Sequence, residues 1–165
     1  MSDLLAAISR ALSRIALVAA GLGLIAMTGI LFWQVFARYA LQASPAWSEQ
    51  AALALLIGVI SLAAAAGVRE GYHIGMTIVV DALPPLPARI ARVLSMGVTA
   101  AFGAALGVYG GDLVAQTWSH ALPSLPLSRG AVYAPLAAAG WLMAFFAIEQ
   151  AIAAARGRTI APLWN

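Results

Sequence analysis

The 165-residue chain is 63% hydrophobic and 9% charged, against about 45–50% and about 25% for an ordinary soluble domain. A water-facing surface cannot be assembled from that supply, so a soluble fold is excluded. The absence of Cys removes disulfides, thiolate catalysis and thiolate-held metal or iron–sulfur centres, and the net charge of +3 is informative only through the placement of the arginines.

In chain order, Leu4, Leu5, Ile8, Leu12 and Ile15 share one helical face while Asp3, Arg10 and Arg14 lie opposite. The spacing predicts an amphipathic interfacial helix near residues 3–14. Four charge-free stretches follow, Ile15–Ala37, Gln50–Val68, Val93–Gly111 and Gly130–Ile148, each long enough to cross a bilayer as a helix. The first stays as an anchor, because Ile30 to Phe36 offers no small-residue cleavage site. The second begins early: Ser44 suits an N-cap, Pro45 the first helical position, and Glu49 the positive end of the helix dipole.

Between the second and third stretches, residues 70–83 read as a second interfacial helix. Tyr72, Met76, Val79, Val80 and Leu83 fall on one side of it, with Glu70, His73, Thr77 and Asp81 on the other. It carries no Arg, so protein packing or apolar insertion, and not anionic lipid, would hold it. Pro84-Pro85-Leu86-Pro87 then predicts a stop and a rigid turn before Arg89. The third stretch carries Gly103, Gly107 and Gly111 at four-residue intervals. In lipid such a ridge lets another helix approach closely, although a chain this rich in Ala and Gly also produces the pattern by composition. Pro135, near the start of the fourth stretch, is tolerable there.

These readings give an all-α integral membrane protein, a single membrane domain with spans at about 15–37, 45–68, 89–111 and 130–150. Arg10, Arg14, Arg69, Arg89, Arg92, Arg156 and Arg158 fall on one side, and Arg38 and Arg129 on the other. The arginine excess places both termini in the cytoplasm. The connecting segments are too short for a soluble domain with its own core, so any soluble function belongs to a partner.

All charges lie outside the apolar stretches, so no intramembrane carboxylate is available for a proton or ion pathway. His73 and His120 fall on opposite sides and cannot share a haem. The arginines form no patch, which disfavours nucleic acid, and no catalytic, cofactor or metal constellation is visible. Arg38 and Glu49 read either as a mutual or partner contact, or as a snorkelling arginine and a dipole-favoured glutamate. His73 reads as a polar boundary residue or a specific contact. Asp112 and Glu149 read as ordinary markers of span ends.

The run Trp33-Gln34-Val35-Phe36-Ala37-Arg38-Tyr39, then Ser44-Pro45-Ala46-Trp47-Ser48-Glu49, then Gly67-Val68-Arg69-Glu70-Gly71-Tyr72-His73-Ile74 resembles the small permease subunit of tripartite ATP-independent periplasmic (TRAP) transporters. Leu125-Pro126-Leu127-Ser128-Arg129-Gly130 is similar as well. Gln50 departs from the pattern, since the family often has a second acidic residue after the one matching Glu49. The resemblance implies a noncatalytic scaffold in the bacterial inner membrane, partnered by a large membrane permease subunit, a periplasmic solute-binding protein and lipid, in sodium-coupled organic-anion uptake. Candidate partner or interface contacts are then Arg38, Trp47, Glu49, His73, Gly103, Gly107, Gly111 and Arg129. Two other readings stay open: a freestanding oligomeric transporter with a site built from Gln34, Thr28, Ser61 and Thr99, and a membrane anchor for a redox complex.

Overall fold

The computed structural model describes residues 3–43, 45–71, 80, 82–157, 160 and 163. Four long helices carry nearly all of them: α1 (Asp3–Tyr39), α2 (Ala46–Glu70), α3 (Pro85–Thr117) and α4 (Arg129–Ala155). All four are long and apolar enough to cross a membrane. Among the described residues the β structure is a single isolated bridge, Ala121 to Ser128.

The helices stand in the order α1, α2, α4, α3, so that α2 and α4 form the centre and α1 and α3 the flanks. Between the two central helices lies the apolar core: Ala65 and Val68 of α2 meet Ala139, Met143, Phe146 and Ala147 of α4. Leu12 of α1 and Ala100 of α3 pack against it. The core is dominated by alanine, which allows close helix approach where burial of large side chains supplies little.

At 37 residues, α1 is about 55 Å long and exceeds the hydrocarbon thickness of about 30 Å. Its inward stripe is Ser9, Ser13, Ala16 and Ala20, all buried, then half-buried Gly23, Met27, Ile30 and Gln34, then buried Ala37. Spacings alternate between four and three residues, the repeat of two helices crossing in a left-handed sense. A Cβ added to Gly23 would stand 2.7 Å from a methyl of Val59. The interfacial helix expected near 3–14 is therefore not a separate element. It runs without a break into the first span; Ser9 and Ser13 face the bundle together with half-buried Leu12, while Leu5, Ile8 and Ile15 are exposed.

Two proline readings also change. Pro45 stands one position ahead of α2 as its N-cap, in extended conformation, while Ser44, the expected cap, lies outside the described residues. Pro84-Pro85-Leu86-Pro87 forms no separate rigid turn, because α3 begins at Pro85 itself. The first turn of a helix has amide groups with no intrahelical acceptor, so prolines there cost nothing in hydrogen bonds. Pro135 lies inside α4 and packs against Gly58, where an added Cβ would meet its ring at 3.6 Å. The expected helix at 70–83 falls mostly outside the described residues, with His73 and Asp81 among those not described.

Candidate functional site

The most concentrated polar chemistry is a buried clasp at the end of the bundle that carries both termini. Ser9 and Ser13 reach it from α1, one turn apart; Arg69 and Glu70 are the last two residues of α2; Glu149 and Gln150 come from the end of α4. Arg69 donates through Nε to Ser9 Oγ at 2.8 Å and through Nη1 to Glu70 Oε1 at 2.8 Å. Ser13 Oγ donates to the same carboxylate oxygen at 2.8 Å, and the Leu163 amide donates to Glu70 Oε2 at 2.6 Å. Ser9 Oγ in turn donates to Glu149 Oε2, and Gln150 Nε2 donates to the Arg69 carbonyl at 2.8 Å. Three helices and a residue beyond α4 are thereby tied at one point.

Burial makes these contacts matter. Arg69 is 2% exposed and Glu149 6%, so each charge has lost water and depends on its partners. Glu70 also sits at the negative end of the α2 dipole, a place that disfavours a carboxylate, and three donors offset that penalty. The chain leaves the helix through Gly71 at φ 72, its amide donating to the Gly67 carbonyl; only glycine takes this left-handed conformation without strain. Oε1 of Glu149 is buried without a hydrogen-bond partner among the described residues.

Glu149 is thus more than an end marker, and Arg69 more than a topology signal. The clasp nevertheless lies at the bundle's edge, about 17 Å along α2 from Gly58 near its middle at 1.5 Å per residue. Deeper in the helices, the hydroxyls of Thr28, Ser61 and Thr99 use their protons within their own helices. Each donates to the carbonyl four residues back in its own helix, at 2.8, 2.6 and 2.9 Å. Three of the four polar residues available for a midplane site are therefore bonded to their own backbone, which leaves Gln34.

The opposite end carries four of the eight contact candidates. Arg38, Trp47, Glu49 and Arg129 are all exposed there, and no ion pair joins Arg38 to Glu49. The connection from α3 to α4 folds as a small hairpin: Leu122 N donates to Leu127 O at 2.9 Å, and Arg129 N to His120 O at 2.8 Å. Ser124 N donates to Gln50 Oε1 at 3.4 Å, tying the hairpin to the second turn of α2. Ser128 caps α4 by accepting from Ala131 N at 3.1 Å, which fixes where Arg129 leaves the hairpin. At Gln50, an amide supplies the acceptor that this contact uses.

The glycines of α3 divide. Gly103 and Gly107 are buried against α4 of the same chain, and Gly110, not Gly111, continues their line. A Cβ on Gly103 would lie 2.6 Å from Ala144 N, and one on Gly107 2.9 Å from the Trp141 ring. Gly111 is exposed, with nothing within 4 Å of an added Cβ.

Four membrane-length helices, tied at one end and apolar on their flanks, define a small multi-pass membrane protein. Residues 27–157 match the family described as tripartite ATP-independent periplasmic transporters, DctQ component, and the chain belongs to that family. It is accordingly a small membrane subunit of the TRAP transporter type, in the bacterial inner membrane. A relative from Rhodobacter capsulatus, the C4-dicarboxylate TRAP transporter small permease protein DctQ, is 27% identical over 112 residues, covering 67% of this chain and 49% of that protein. The chain thus spans about half the length of that curated relative.

Proposed function

We propose that this chain is a noncatalytic scaffold for a large TRAP permease subunit, helps to dock a periplasmic solute-binding protein, and so supports sodium-coupled uptake of an organic anion such as a carboxylate. The observation that carries this reading is the contrast between the spans' interior and their flanks. The hydroxyls inside the spans are bonded to their own backbone, while α1 exposes Leu22, Ile25 and Phe32, the last at 74%. A carrier needs the reverse, polar groups free at mid-depth; a scaffold needs broad apolar faces for another membrane protein.

The arginine distribution supports both termini in the cytoplasm. In that orientation Arg38, Trp47, Glu49 and Arg129 lie on the periplasmic side beside the hairpin, where the binding protein would dock. The clasp then lies on the cytoplasmic side and holds α1 upright against α2 and α4. Uptake in a strain that retains the large subunit and the binding protein but lacks this chain tests the reading. Uptake should be lost and restored by supplying the chain; undiminished uptake without it would refute an essential scaffold.

A further inference from the structure

The end of the bundle that carries the termini treats its acids and its arginines differently. Glu70 and Glu149 are buried in the clasp together with Arg69, whereas Arg10, Arg14, Arg89 and Arg156 are exposed. The clasp therefore withdraws these two carboxylates from the surface and leaves the four arginines as its exposed rim.

Within that rim, Arg10 and Arg14 lie one turn apart on the same face of α1, about 5–6 Å between their Cβ atoms. Seven residues beyond Arg14, and so again on that face, is Gly21. It is exposed, and an added Cβ would meet nothing within 4 Å. Gly23 is a glycine because Val59 crowds it; Gly21 has no such internal reason, although glycine inside a helix costs about 1 kcal/mol relative to alanine. Exposed Val18 and Ile25 flank it and make a shallow apolar recess below the two guanidinium groups. Two cations at the hydrocarbon edge above an apolar recess are complementary to a phosphate headgroup above an acyl chain.

We infer that α1 retains an anionic phospholipid on this flank, its phosphate held by Arg10 and Arg14 and one acyl chain lying along Gly21 between Val18 and Ile25. The site does not depend on the orientation of the chain, and it is tested on the chain without partners because Ile25 also belongs to the apolar face proposed for the large subunit. Binding of phosphatidylglycerol and of phosphatidylcholine to the whole purified chain, read by native mass spectrometry at low salt, tests it. Phosphatidylglycerol should bind the more tightly. An exposed arginine contributes about fivefold to such binding, so R10Q/R14Q should weaken phosphatidylglycerol about 25-fold and leave phosphatidylcholine unchanged. R10K/R14K, which keeps the charge, should retain most of the preference, and R38Q at the other end should bind like the parent chain. Gly21→Leu, which keeps both arginines and has open space for its side chain, should reduce occupancy. Equal phosphatidylglycerol affinity in R10Q/R14Q and the parent, an equal loss in R38Q, or no preference over phosphatidylcholine would overturn the inference. Full binding in Gly21→Leu would overturn the placement of the acyl chain.

Discussion

Gly140→Ala is the smallest change that tests how α3 and α4 pack. The added Cβ would lie 2.4 Å from Gly107 N and 2.8 Å from both Gly107 Cα and the Leu106 carbonyl carbon. Ordinary contact begins near 3.4 Å, so the helices must part by about 1 Å. These three nearest atoms are all backbone, and no side-chain rotation can relieve their clash. Overpacking of this kind costs about 1–3 kcal/mol, against which alanine's better helix propensity returns up to about 1 kcal/mol. At about 2–4 °C per kcal/mol for a chain of this size, a net cost near 1 kcal/mol lowers the melting temperature by about 2–4 °C. Melting of the purified chain in detergent, followed by tryptophan fluorescence, reads the change, because Trp141 lies at this contact. Gly97→Ala and Gly111→Ala are the controls, since both positions open onto empty space, and both should melt at or slightly above the parent temperature. Unchanged melting of Gly140→Ala, or an equal drop in Gly97→Ala, would refute the packing argument.

The clasp gives a second prediction. Arg69→Met leaves Glu70 buried without its cation and should destabilise the chain by about 3–5 kcal/mol, whereas R69M/E70L should cost less than R69M alone; thermal unfolding of the three proteins decides. Ser128→Ala removes the α4 cap and should cost about 1 kcal/mol, with faster proteolysis of the hairpin at 121–128 as its local signature. R38E or R129E should lower uptake at limiting binding protein while the membrane complex still assembles, and unchanged uptake would count against docking at these arginines.

The four helices were legible because charge-free apolar length is a property of composition, and composition is visible without a fold. The clasp was not, because its members belong to three helices and each looks ordinary alone. Ser9 and Ser13 sat between leucines that drew attention to the opposite face, and Glu149 ended a charge-free run. The signal that could have found them is the alternating four-three stripe from Ser9 through Ala16 to Gly23, read as a small-residue packing face. The same repeat explains the glycines: a strict four-residue interval leads from Gly107 to Gly111, but crossing helices return after three residues at Gly110. The proline run misled because a residue that ends one helix is equally suited to begin the next. On the exposed side of α1 and at Arg38, Trp47, Glu49 and Arg129, the sequence marks what is available for contact, and the partner's surface decides what is used.

The proposed function makes this chain one part of a larger membrane complex. Co-expression with the large permease subunit, followed by affinity purification through a tag on this chain and determination of the stoichiometry, tests it most directly. A one-to-one complex that survives detergent extraction is expected. Recovery of this chain alone, with the large subunit present and folded in the same membranes, would contradict it.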